Sequence, residues 1–410
     1  MAIPMTPGPL ATERDRARRM ERLTWSLVVG AFVAWLGLAA VGGGWAASFI
    51  QSAAAPAPST LEAVSGVVLY READQRGEVS AQQGQQLFEG DDLITSFGSK
   101  AALRVPDGSA LEAFPNTRIR VDAARRGHFN AGATRAAFSL STGAVRLLVP
   151  GEGTQDHSLQ VTVPQGRFDL APGEYTVRVG SEAARVSVWR GAAFLTVGAG
   201  HWEASAGQKL VLTTGAGSPQ LENVLENIVA NGDFSQGFEG WEPWEDRERG
   251  RPDVPGRLDV VSPNAPEAPG AALRVWRNSE VDAHNETGLR QRLERDVTGA
   301  RAVVLRARVR VDAASLSGGG YLGSEYPMMI RVRLRDSRDN DVIWTQGFYY
   351  ANPENRPVPV GQQVVRGEWV ELSTDLTGVV NQPSTIEAIE VFGAGHTFEA
   401  FIADVQLLVD

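Results

Sequence analysis

In residues 305–311 (LRARVRV), Leu305, Ala307, Val309 and Val311 alternate with Arg306, Arg308 and Arg310; in residues 330–335 (IRVRLR), Ile330, Val332 and Leu334 alternate with Arg331, Arg333 and Arg335. A period of two puts every apolar side chain on one face of a strand and every arginine on the other. Strands with one dry and one wet face build antiparallel sheets packed face to face rather than a parallel sheet covered by helices. Residues 64–212 carry the same signature in shorter pieces, among them 101–105, 110–114, 144–148, 159–163, 175–179 and 185–189, separated by Gly, Pro, Asn and Asp. Such spacing predicts a second all-β domain. Between the two, GAGSPQ at 215–220 reads as a linker, and residues 221–228 as one or two helical turns.

The amino-terminal end obeys a different rule. Residues 23–50 contain no charged side chain, and Arg14, Arg16, Arg18, Arg19 and Arg22 precede them, with no further Lys or Arg until Arg71. A hydrocarbon core of about 30 Å needs roughly 20 apolar residues, so the run is long enough to span a lipid bilayer, and the arginine bias predicts a cytoplasmic amino terminus. Trp25 and Trp45 fall near its two ends, where indoles favour the membrane interface. A cleaved signal peptide is the competing reading; the length of the run and Pro56, directly after the small residues Ala53 to Ala55, weigh against it. The expected organisation is a basic tail (1–22), a transmembrane helix (23–50), an Ala/Pro linker (51–62), a first β domain (63–214), a linker (215–227) and a β-sandwich (228–410), with both β domains outside the cell membrane.

Composition narrows the chemistry. There is no cysteine, hence no disulfide, thiolate metal site or cysteine nucleophile. The net charge is −10, and the basic tail leaves the remainder still more acidic, so nucleic acid is not an expected partner. His128, His157, His201, His284 and His396 show no metal-ligand spacing, and neither a P-loop nor a nucleophile elbow is present. No catalytic residue and no cofactor is indicated, and the chain reads as a binding or sensing protein, not an enzyme.

An ordered series of short motifs runs through the first β domain: VSGVV (64–68), LFEGDDLIT (87–95), GSKAAL (98–103), DGS (107–109), PNTRIRV (115–121), STGAV (141–145), VTVPQG (161–166) and AGQKL (206–210). In this order they resemble the extracytoplasmic FecR domain, named after an iron-citrate signalling regulator. Asp91, Asp107 and Asn116 within them read as turn formers rather than ligands. The chain departs from the family twice. Where relatives often carry Arg-Gly-Thr, it has Ala171, Pro172, Gly173, Glu174 and Tyr175, so a role tied to that triplet is not carried over. Relatives that signal to a sigma factor place a folded binding domain before the membrane span; here only residues 1–22 stand there, too few for one. A transmembrane regulator acting through that short tail is the alternative reading, with a sigma factor an unlikely partner.

NGDFSQGFEGW (231–241), with LRQRL (289–293), GEWVEL (367–372) and FIADVQLL (401–408), resembles the galactose-binding-like jelly roll of many carbohydrate-binding modules. That resemblance implies a glycan or envelope-protein partner. A sugar site needs exposed rings for pyranose faces to stack on. Trp244, Tyr349 and Tyr350, which border loops, and Trp276 are the ligand-binding candidates, whereas Trp241, Trp344 and Trp369 are expected to fill the core. Asn231, Asp233 and Asp404 occupy the places where such folds hold a structural calcium, although turn roles suit them better. The arginine rows have two readings: a cationic strip for acidic polymers, or cross-strand pairing with Glu368, Glu371, Glu387 and Glu390. Pairing is the expected one.

Overall fold

The computed structural model describes residues 54–127, 134–151, 159–248, 254–263 and 268–410, with residues 20, 25, 28, 30–33 and 35–39. Two compact units divide the chain: residues 1–55 with 125–134, and residues 56–124 with 135–410. In the first, the described residues of the expected span are helical and exposed, Val28, Phe32 and Leu38 among them, and Phe32 stacks on Trp35 at 6.3 Å. Among the described residues no helix is long and apolar enough to cross a membrane. The rest of residues 23–50 lies outside the described residues, as do Arg14, Arg16, Arg18, Arg19 and Arg22.

The second unit is built of strands and holds two main cores, one in each of two lobes. In the first lobe the long strand Thr134–Val149 organises the pairing. Its residues Ala136 to Ser139 run parallel to Leu159–Val163, while Gly143 to Val149 run antiparallel to Gly173–Val179. The change of sheet falls at Gly143, whose φ is +93° and where a Cβ would lie 2.3 Å from the Thr117 hydroxyl. Free of that Cβ, Thr117 approaches closely, donating to the Ala144 carbonyl (3.1 Å) and accepting from the Ala144 N–H (3.0 Å). PNTRIRV and STGAV thus meet at one joint. Only residues 144–148 of this strand were legible as β, because the pattern dissolves where the strand leaves one sheet for the other.

The turn formers behave as their chemistry predicts. Asp107 accepts from the Ser109 N–H at 2.8 Å within the reversal after Lys100–Arg104. The buried Asp91 collects the Tyr70 hydroxyl (2.9 Å) and the N–H groups of Phe88 and Ala73. At the departure from the family triplet, Tyr175 is fully buried and donates its hydroxyl to the carbonyls of Ala171 (2.6 Å) and Ala192 (2.9 Å). Burial pushes its phenol up to about 12.

In the second lobe the expected alternation is realised. Leu305, Ala307, Val309 and Val311 point inward, as do Ile330, Val332 and Leu334, and the two rows belong to one core. Each Val, Leu or Ile among them contributes on the order of 1.5–3 kcal/mol when fully buried. One sheet has the order Arg257–Val261, Ala272–Arg277, Phe398–Val409, Val303–Ala314, Val370–Asp375; the other has Glu242–Arg247, Asn285–Asp296, Pro383–Ala394, Met328–Asp336, Asp341–Tyr349, Gly361–Gln363. All pairings are antiparallel except the last, where Gly347 lies opposite Gly361 in a parallel register. The chain passes repeatedly between the sheets, as in a jelly roll.

Residues 221–228 are not helical, contrary to the expectation from sequence. Gln220–Asn223 adds to Gln208–Thr213 of the first lobe, and Glu226–Asn227 pairs with Phe398–Val409 of the second. Backbone pairing on both sides satisfies groups that a short isolated helix would leave open at its ends. The connection is therefore a pair of short strands, one added to each lobe's sheet, rather than a loose tether.

Charged contacts reinforce this joint. Lys209, whose side chain is 1% exposed, lies 3.4 Å from Glu222 and 3.3 Å from Glu226, and Glu226 also binds Arg295 at 2.7 Å. Asp410, fully buried, faces Arg178 of the first lobe at 3.7 Å. Arg178 also donates to the backbone oxygens of Asp410 and Thr298, and the Asp410 carboxylate accepts the N–H groups of Arg301 (2.8 Å) and Ala302 (3.2 Å). Glu174, from the divergent triplet, reaches Arg301 at 2.7 Å. Gly299, at φ +70°, lies so close to the Phe114 ring that a Cβ would stand 2.6 Å from it. Arg178→Ala leaves the Asp410 charge buried without its cation, so a loss of about 3 kcal/mol is expected in urea unfolding; a loss below about 0.5 kcal/mol, typical of a surface pair, would contradict this placement.

Candidate functional site

The sandwich presents two outer faces, and they differ in kind. On the sheet containing Met328–Asp336, Glu390 is fully buried and accepts from Arg290 Nε (2.7 Å), Arg333 Nε (2.8 Å) and Arg331 Nη1 (3.0 Å), joining three strands. Burial alone would raise its carboxyl, but Arg333 and Arg290 outweigh burial and hold it below the usual carboxylate range. Arg335 binds Glu387 at 2.6 Å and Asp339 at 2.9 Å, and Arg331 also lies 3.5 Å from Glu286. This arginine row is thus consumed by pairing, in part with the Glu387 and Glu390 expected from sequence.

Beside this network lie two of the sequence-predicted ligand residues. Trp244, half-buried, packs on Phe392 at 5.2 Å, and Arg290 sits 5.7 Å from its ring centre. Tyr349 is buried, 6.2 Å from Tyr326, in a cluster with Met329 and Phe392 to which Val358 and Val360 add cover. Its ring supports the neighbouring residues and offers no face to solvent. A carboxyl oxygen of Glu325 bonds His284 Nδ1 and lifts the imidazole above its ordinary value despite partial burial. Tyr350 lies apart, half-buried, donating to the Ala314 carbonyl at 3.3 Å with Arg366 5.2 Å from its ring.

The other sheet carries an open aromatic row. Trp276, half-buried, donates Nε1–H to Asp259 at 2.6 Å, with Arg274 4.7 Å and Arg257 5.1 Å from its ring. Arg274 bonds Glu399 and stands directly opposite Phe401, which in turn stands opposite Arg310. Arg310 lies 5.3 Å from the Phe401 ring and grips Asp312 with two bonds of 2.7 Å. Trp369 meets Phe401 edge-on at 6.5 Å, with Arg308 5.7 Å from its ring. Trp276, Phe401 and Trp369 are all half-buried. Trp369 was expected in the core; Val370 and Leu372 take the inward positions of its strand and turn it outward. Trp241 is buried and Trp344 packs against the core, as their strand positions predict. The row escapes sequence reading because its rings come from segments far apart in the chain, two strands and the approach to a third, and meet only in the fold.

Asn231 and Asp233 hold backbone, and Asp404 pairs with an arginine. Asn231 donates to the carbonyls of Gly237 and Glu239, Asp233 accepts from Ser235, and Asp404 lies 3.6 Å from Arg308. Among the described residues no group of three His, Cys, Asp or Glu could hold a metal ion.

Glu390→Gln removes the charge that neutralises three guanidinium groups, so a stability loss of about 3 kcal/mol at neutral pH is expected. Because the folded-state value is depressed, the contribution of Glu390 is fully present above the ordinary carboxylate range and disappears as pH falls through the lowered value. Denaturant curves of wild type and E390Q are therefore expected to separate at neutral pH and converge in acid; a constant gap down to acid pH would contradict the assignment.

Residues 91–194 match the family model described as FecR protein. No curated protein matches the chain. Among solved structures, a proposed anti-sigma factor from Parabacteroides distasonis is 15% identical over 32% of this chain, with a TM-score of 0.27; the match spans 59% of that protein's length. The family 11 carbohydrate-binding module from Clostridium thermocellum, solved with a mixed-linked tetrasaccharide, is 10% identical over 45% of this chain and 96% of its own, with a TM-score of 0.27. The CBM22-1 xylan-binding domain of Paenibacillus barcinonensis Xyn10C is 14% identical over 46% of this chain and 97% of its own, also with a TM-score of 0.27. The chain carries a FecR domain at residues 91–194.

Proposed function

We propose that the chain is a non-catalytic binding and sensing protein of the cell envelope, held in the membrane by residues 23–50, whose sandwich binds a neutral glycan across the outer face of Trp276, Phe401 and Trp369. The observation that carries this reading is the spacing of three half-buried rings among guanidinium and carboxylate groups on one sheet face. Ring faces and edges give a pyranose apolar surface to lie on, and the ion pairs Arg274–Glu399 and Arg310–Asp312 supply paired donors and acceptors for its hydroxyls. Because those charges are matched, the face favours an uncharged polyol over a polyanion. Glycan-array binding of the full chain tests this: Trp276→Ala and Trp369→Ala are each expected to weaken the best neutral ligand about tenfold. Absence of any glycan ligand, or binding by both variants as tight as that of the unsubstituted chain, would refute it.

A second reading is favoured by the FecR match itself: a transmembrane regulator that passes ligand occupancy to a cytoplasmic partner through residues 1–22. Deleting residues 1–22 is expected to leave glycan binding intact under the first reading. Loss of a sigma-dependent reporter response on the same deletion would establish the second.

A further inference from the structure

Between the two lobes lies a cavity of about 300 Å³. The first lobe contributes Lys100, Phe114 and Arg146; the second contributes Arg301, Ser337 and Gln382. Among the described residues that line it, three are cationic and none is acidic. Lys100 and Arg146 both lean on the Phe114 ring, 4.6 and 5.3 Å from its centre, and share a single carboxylate, Glu112, at 3.4 and 3.3 Å. Arg301 is met by Glu174 at 2.7 Å, a carboxylate that also lies 3.5 Å from Arg190, outside the cavity lining. Three cations against two carboxylates leave one positive charge in excess, in a chain whose net charge is −10.

Two further observations point to a ligand. Arg146 Nε is buried with no hydrogen-bond partner among the described residues, a cost the fold would avoid by packing an apolar side chain there. Gln382 is held at φ +53°, a conformation unfavourable for a side chain of its kind, and its Oε1 accepts from the Ser337 hydroxyl at 3.1 Å while its amide nitrogen still has donors to offer. Strain at a residue lining a cation-rich cavity is where ligand clamps store it.

We infer that this cavity binds a singly charged, carboxylate-bearing sugar of hexuronate size, its carboxylate on Lys100 and Arg146 and its hydroxyls on Gln382 and Ser337. A cavity of this volume suits one such ring, a planar carboxylate suits the forked donors of arginine, and a single charge matches the single excess cation. The site draws on both lobes, so its occupant fastens one to the other. It is separate from the aromatic row, and Trp276→Ala leaves it untouched.

Isothermal titration of the full chain with galacturonate, glucuronate, galactose and inorganic phosphate tests the assignment. One of the two hexuronates is expected to bind and galactose and phosphate not to bind. The double variant K100Q/R146Q is expected to weaken hexuronate binding about tenfold or more. Gln382→Gly, which relieves the backbone strain and so folds at least as well, is expected to weaken it too. Failure of both hexuronates to bind, binding of phosphate in their place, or an unchanged affinity in Q382G would each overturn the proposal.

Discussion

Arg178 and Asp410 meet where the two lobes meet, with the carboxylate fully out of water and the guanidinium nearly so. Charges so placed are costly unless each finds a partner, and here the partners come from opposite lobes: Arg178 from the first, Asp410 and the Thr298 carbonyl from the second. Separating the lobes would take Arg178 from Asp410, while the N–H groups of Arg301 and Ala302, in the same lobe as that carboxylate, stay with it. Next to this pair the backbone itself passes from one sheet to the other through residues 220–227, and Lys209 and Arg295 converge on Glu226. The joint behaves as part of the fold.

Both outer faces of the sandwich follow from the way arginine is partnered. On one sheet a buried carboxylate gathers three guanidinium groups, spending them on cohesion between strands, while the aromatic residues beside it are packed under Tyr326, Val358 and Val360. On the other, Arg274, Arg308 and Arg310 each have a nearby carboxylate and a nearby ring, and the rings stay half in water. The same residue types, in the same alternating pattern, therefore yield a sealed face and an open one. The cavity between the lobes is a third environment, where Lys100 and Arg146 lean on Phe114 and Arg301 lines the same space, with no acid among the described lining residues.

Much of the architecture was legible in the residues. Period-two alternation at 305–311 and 330–335 predicts the inward and outward faces of both sheets, because burial of every second side chain is a local property of a strand. Glu387 and Glu390 could be named as arginine partners for the same reason. Residues 221–228 were misread, since their strand character comes from partners elsewhere in the chain rather than from their own pattern. Tyr349 borders a loop in sequence yet is buried by that loop's fold, and Trp369, expected inside, faces out because Val370 and Leu372 take the core positions of its strand. Trp276 was singled out alone; Phe401 and Trp369 join it only through register. The interlobe cavity had no sequence signal at all, being assembled from Lys100, Arg146 and Arg301 across two lobes.

Two short strands, one paired into each lobe, and a buried ion pair across the joint are expected to make the first lobe and the sandwich unfold as one body. Differential scanning calorimetry of the chain reads this directly. One heat-absorption peak covering the unfolding of both lobes is predicted; two separable peaks, one for each lobe, would contradict it.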